Sequence, residues 1–86
     1  MIEKKFELTN KSGLHARPAS KFCAIARSFH CNIKVKYDDQ VIDAKRILDL
    51  MAANLKRGMV FQVECDGSDE NQAIVSLSSF VEALDD

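Results

Sequence analysis

His15, Arg17 and Pro18 stand close together in the stretch Gly13-Leu14-His15-Ala16-Arg17-Pro18-Ala19-Ser20, and their types point to anion chemistry at the start of a helix. Proline is tolerated in a first helical turn, where its missing N–H costs nothing. Downstream, Ala19, Phe22, Cys23, Ala26 and Phe29 recur at helical spacing. His15 therefore falls at or near the N-cap, with the backbone N–H groups of Ala16 and Arg17 beside its ring. A helix N-terminus carries partial positive charge and outward-pointing donors, so it attracts anions. Ser, Thr, Asp and Asn are the preferred N-cap residues, and histidine is an unusual choice there. A nucleophilic side chain inside an anion-binding corner leads to the expectation that His15 carries a phosphoryl group.

The chemistry needs the neutral ring, because imidazole has a lone pair and imidazolium does not. The charge arriving with a phosphoryl group would meet the Ala16 and Arg17 amides and the Arg17 guanidinium. Ser12 stands just before, in a turn, where its hydroxyl either orients the loop or reaches the phosphate. The second histidine, His30, has no comparable surroundings and reads as an exposed polar residue.

The elements that must position this corner can be read from hydrophobic spacing. Ile2, Phe6 and Leu8 alternate with polar residues as in a half-buried strand, and Thr9-Asn10-Lys11-Ser12-Gly13 is turn chemistry. The His15 helix is expected to run to about Phe29. Cys31, Ile33, Val35 and Tyr37 alternate, Asp38-Asp39 suits a tight turn, and Gln40 to Asp43 reads as a returning strand. Ile47, Leu50, Met51 and Leu55 fit a short second helix, which Asn54 can close because Asn tolerates the left-handed conformation. Met59, Phe61, Val63 and Cys65 give a fourth strand. After Gly67, Ser68 or Asp69 caps a last helix with Ala73, Leu77, Phe80, Val81 and Leu84 on one face. Asp85 and Asp86 follow it as a frayed acidic tail. The order is β-α-β-β-α-β-α, and strands with one apolar face beside helices with apolar stripes make a two-layer α+β sandwich.

Size and composition narrow the function. The chain has 86 residues, enough for one small domain (1–86) with one core. Net charge is −1, so no general field favours nucleic acid or an anionic membrane. No apolar run has the length of a membrane span, and Glu3, Lys4 and Lys5 interrupt any secretory segment. Cys23, Cys31 and Cys65 lack zinc-site spacing and cannot all pair; they read as reduced thiols of a cytoplasmic protein, Cys23 and Cys65 being buried. No metal and no cofactor is expected. The second helix carries more apolar residues than one narrow face can bury, namely Ile47, Leu48, Leu50 and Met51. Some are expected to remain exposed, as a docking patch rimmed by Arg17, Lys21, Arg27, Lys45 and Arg46 that suits acidic partners.

Gly13-Leu14-His15-Ala16-Arg17-Pro18-Ala19, followed much later by Gly67-Ser68-Asp69-Glu70-Asn71 before a closing helix, resembles the histidine-containing phosphocarrier family HPr of the bacterial phosphotransferase system. The resemblance extends over nearly the whole chain in length, spacing and element order. It implies an open-faced sandwich: a four-stranded antiparallel sheet covered on one face by three helices. It also implies a carrier, without an enzyme's own small-molecule substrate, phosphorylated at Nδ1 of His15 by enzyme I and discharged to enzyme IIA domains during sugar uptake; a small carrier that must present one face to successive partners is expected to be a monomer. Arg17, Ala16 and Ser12 would hold the phosphate. Docking would fall on the first two helices, through Ser20, Lys21, Arg27, Arg46, Ile47, Leu48 and Met51. Two alternatives remain open: a relay in the nitrogen-related regulatory branch, or a docking module that passes no phosphate on.

One departure bears on regulation. Many members of the family open the second helix with a serine that a kinase phosphorylates; the corresponding residue here is Arg46, preceded by Lys45. Arginine cannot accept phosphate and reverses the sign of the regulatory charge. Asp49 and Ala52-Ala53-Asn54 also depart from the usual pattern. Regulation by a serine kinase is therefore not expected, whereas the His15 chemistry is untouched.

Overall fold

The structure, a computed structural model, describes residues 1–85. Among these residues four strands and three helices follow in the order β1 (Ile2–Glu7), α1 (Ala16–Arg27), β2 (Asn32–Tyr37), β3 (Gln40–Asp43), α2 (Ile47–Ala53), β4 (Val60–Asp66) and α3 (Glu70–Glu82). The strands form one antiparallel sheet in the spatial order β1-β4-β2-β3, and the helices cover one of its faces. This is the two-layer α+β sandwich expected from the spacing, in the open-faced form that the family resemblance implies.

Alternation decides which face is covered. Phe6 of β1, Ile33 and Val35 of β2, and Phe61, Val63 and Cys65 of β4 are buried toward the helices. Successive strand side chains point to opposite faces, so Glu3, Lys5, Lys34, Lys36, Gln62 and Glu64 fall on the other one. Pairing of Lys34 with Glu64 and with Asp43 in register places opposite charges side by side there. From the helical layer, α1 contributes Ala19, Phe22, Cys23 and Ala26, and α3 contributes Ala73, Ile74, Leu77 and Val81. Phe22, Phe61, Leu50 and Leu77 are completely covered. Truncating any of these four to Ala removes on the order of 2–5 kcal/mol, because the cavity collapses only partly.

Helix ends differ in detail from the expectations. α1 stops at Arg27 with Ser28 as its C-cap, two residues before a half-buried Phe29. Asn54 closes α2 in the left-handed region at φ 52°, as its tolerance for that conformation predicts. Asp69 does occupy the N-cap position of α3, yet its side chain makes no cap hydrogen bond. The carboxylate accepts instead from the backbone N–H groups of His30 (2.7 Å) and Cys31 (2.9 Å), stitching the α1–β2 connection to α3. All three thiols are free and buried, Cys31 as well as Cys23 and Cys65. Asp85 lies past α3 and is exposed, and the expectation for Asp86 falls outside the described residues.

The sheet order also positions the His15 corner. Glu7, the last residue of β1, pairs with Val60, the first of β4. The chain leaving β1 and the chain entering β4 therefore run side by side at one end of the sheet. Leu8 N–H donates to Met59 O (3.0 Å), Gly58 N–H to Leu8 O (2.7 Å), and Leu14 N–H to Leu55 O (2.8 Å). Residues 8–15 and 54–59 are bound into one support.

Candidate functional site

His15 is the N-cap residue of α1, with extended backbone (φ −75°, ψ −175°). Its carbonyl accepts the first helical hydrogen bond, from Ala19 N–H at 2.8 Å. Its side chain does not cap the helix. The N–H groups of Ala16 and Arg17 consequently point out of the helix end beside the imidazole, and Pro18 contributes none. The ring is half-buried, and its Nε2 atom is closed off from solvent.

The main chain in front of the ring is fixed closely. Gly13 sits at φ 62°, a region L-residues with a side chain seldom adopt. A Cβ there would come within 2.5 Å of Leu55 O and 2.7 Å of the Lys56 Cα. The glycine lets two backbones touch, and this contact sets where Leu14 and His15 begin. Leu14 is buried and anchors the turn in the core.

The predicted phosphate-binding residues gather around this corner. Ala16 and Arg17 are exposed on the first turn of α1, and Ser12 is exposed in the turn preceding it. Docking residues divide into two depressions, where sequence reasoning expected one patch. Arg27, Lys45, Arg46, Ile47 and Leu48 line a shallow hollow of about 240 Å³. Arg17 and Lys21 instead border a hollow of about 310 Å³ between α1 and the end of α3, with Pro18, Phe80, Ala83, Leu84 and Asp85. The cause is angular: Arg17 and Lys21 are one turn apart on the side of α1 toward α3, whereas Arg27 is toward α2. Ser20 is exposed on α1. On α2, Leu48 (77% exposed) and Met51 (48%) face outward while Leu50 is buried and Ile47 is half-buried, as surplus apolar residues required.

Lys45 and Arg46 on that rim are both engaged. Lys45 is half-buried, and its ammonium donates to Phe29 O at 2.8 Å, beyond the C-terminal end of α1. It acts as a tie between α1 and α2 more than as a rim charge. Arg46 is 72% exposed, with Nε 3.6 Å from Asp49 three residues on. Such a surface pair is worth about 0.2–1 kcal/mol, so an acidic partner can displace Asp49 easily.

Sequence reasoning missed Asn10. Its side chain is buried (6% exposed) and donates from Nδ2 to Gly13 O at 2.7 Å, while Gly13 N–H donates back to Asn10 O at 3.2 Å. Asn at the first position of a turn with Gly at the fourth was the available signal. Among the described residues, no three His, Cys, Asp or Glu side chains gather as metal ligands, and no helix is long and apolar enough to cross a membrane. Burial, with Cys31 beside it, pushes the Cys65 thiol up to about 12, so that thiol is chemically muted.

The family model described as PTS HPr component phosphorylation site matches residues 2–83, from the first strand through the last helix. The chain belongs to the HPr family. The phosphocarrier protein HPr of Neisseria meningitidis is 35% identical over 81 residues, covering 94% of this chain and 91% of its own. That of Haemophilus influenzae is 32% identical over 85 residues, covering 99% and 100%. Among solved structures, HPr-C-His of Thermoanaerobacter tengcongensis superposes with a TM-score of 0.93 at 37% identity, over 96% of this chain and 93% of that one. The chain is accordingly an HPr phosphocarrier of the phosphotransferase system, with sheet and helices arranged as the family resemblance implied.

Proposed function

We propose that this chain acts as one HPr-like domain over residues 1–86, taking a phosphoryl group on Nδ1 of His15 from phospho-enzyme I and passing it to enzyme IIA domains in sugar uptake. The observation that carries this reading is the placement of His15 at the N-cap of α1 with Nε2 closed off. The Nδ1 lone pair attacks phosphorus as the bond to the donor breaks, the electron pair of that bond returns to the donor, and the His15 ring keeps its proton on the enclosed Nε2. The three phosphoryl oxygens then lie against the helix end. There the Ala16 and Arg17 amides and the Arg17 guanidinium offer charge-assisted hydrogen bonds. A helix terminus contributes about 0.3–1 kcal/mol to an exposed anion, up to ~2 when partly buried. That is enough to favour the charged state and too little to trap it, as a carrier requires.

Ser12 stands at the mouth of this corner and serves as a further donor to the phosphate. Ser20, Lys21 and Arg27 on α1 and Arg46, Ile47, Leu48 and Met51 on α2 make the docking surface, used by enzyme I and enzyme IIA in turn. A monomer presenting one face to successive partners fits that use.

The test is intact-protein mass after incubation with phosphoenolpyruvate, magnesium and enzyme I. One acid-labile phosphate is expected on the wild type and none on His15→Ala. An unmodified wild type beside a demonstrably active enzyme I would refute the carrier reading and leave a docking module. Discharge to sugar-specific or nitrogen-related enzyme IIA acceptors then separates the two branches.

A further inference from the structure

We infer that Asn10 is a positioning residue for the phosphoryl transfer, acting through the loop that presents Ser12 and His15; the inference rests on the carrier reading above. In the run from Thr9 to Ser12, Asn10 alone is buried, while Thr9, Lys11 and Ser12 are exposed. Its side chain reaches under the turn to Gly13 O (2.7 Å) as the Gly13 N–H returns to Asn10 O (3.2 Å). The two bonds close a ring around Lys11 and Ser12 and hold Ser12 at the third position of the turn.

The second consequence concerns the peptide joining Gly13 to Leu14. Its carbonyl is held by Asn10, and its N–H is held by Leu55 O at 2.8 Å. A peptide is planar, so fixing both polar ends fixes its rotation. His15 follows one residue later, and its own backbone starts α1. The imidazole is thereby aimed from both sides: from below by the helix and from in front by this pinned peptide.

Burial chemistry indicates that the hydrogen bond is the reason for the residue. Asn10 Oδ1 is buried and has no hydrogen-bond partner. A buried acceptor left unsatisfied is unfavourable, and an apolar side chain would avoid it. An amide at this position serves through its one donor, to Gly13. Alanine fits the turn but cannot tie it, and aspartate keeps the shape while losing the donor at neutral pH.

The experiment measures transfer from phospho-enzyme I by rapid quench for wild type, Asn10→Ala, Asn10→Asp and Ile74→Ala. Ile74 lies in the buried face of α3, outside the loop, and its truncation controls for lost stability. Wild-type phosphorylation establishes the carrier reading independently. Both Asn10 variants are expected to reach full phosphorylation on His15 with the maximal transfer rate lowered about tenfold, because a small misalignment of a reacting group is costly in rate. KM for enzyme I is expected to stay within about twofold, since the docking surface is untouched, and Ile74→Ala is expected to transfer like wild type. Wild-type rates in Asn10→Asp, a loss confined to KM, or an equal loss in Ile74→Ala at matched unfolding temperature would each overturn the inference.

Discussion

Gly13→Ala tests the contact that sets the His15 loop, and its cost can be worked from the structure. At φ 62° the alanine sits in the left-handed region, at about 1–2 kcal/mol for a residue with a Cβ. Its methyl would lie 2.5 Å from Leu55 O, inside any real contact distance, so the loop must move off the 55–56 backbone. That movement breaks the Leu14–Leu55 hydrogen bond, worth about 1 kcal/mol. The sum is about 2–3 kcal/mol before any repacking of Leu14. For a chain of 86 residues total stability is on the order of 4–13 kcal/mol, and each kcal/mol moves Tm by about 4–8 °C. Gly13→Ala is therefore expected to lower Tm by about 8–24 °C. Gly58→Ala supplies the comparison: φ is 89°, yet a Cβ there meets nothing within 4 Å. It carries the conformational cost alone, about 1–2 kcal/mol. Urea unfolding of both variants reads the difference, and the rate of His15 phosphorylation should fall in Gly13→Ala far more than in Gly58→Ala. Equal losses in the two variants would refute the reasoning, since the close approach of the two backbones would then contribute nothing.

The remaining predictions concern the connection behind α1 and the docking face. The N–H groups of His30 first, and of Cys31 with it, hold the Asp69 carboxyl below the ordinary 3.8. Its contribution is thus complete above that pH and is lost as the pH falls through the lower, folded value. Asp69→Asn should lower the urea midpoint at neutral pH, with the gap to wild type closing as the pH drops below 3.8; a gap that ignores pH would contradict this linkage. On α2, Arg46→Glu should raise KM for enzyme I by about three- to tenfold at low salt and by much less at about 0.5 M, because exposed charges act through screened attraction. A change in the maximal rate without a change in KM would instead place Arg46 in the transfer step.

Much of this molecule is legible in the sequence because burial imposes periods. The alternation of Ile33, Val35, Phe61, Val63 and Cys65 and the helical spacing of Ala19, Phe22, Cys23 and Ala26 mark the elements without reference to their neighbours. His15, Arg17 and Pro18 mark a helix start for equally local reasons, since capping and proline geometry depend on a few adjacent residues. Where the chain contacts itself across long separations, the pattern is silent. No spacing announces that β1 and β2 both flank β4, and that order is what brings residues 54–59 beside residues 8–15. Only then does Gly13 meet Leu55, Asn10 acquire its buried role, and Asp69 turn from its own helix to His30 and Cys31. The angular division of the basic residues between two hollows likewise depends on which helices flank α1. The sequence by itself determined the elements and the proposed reacting group, because these follow from local sterics and from the period of burial. The tertiary structure decided how that group is held, because register and close backbone approach arise only when distant segments compete for the same partners.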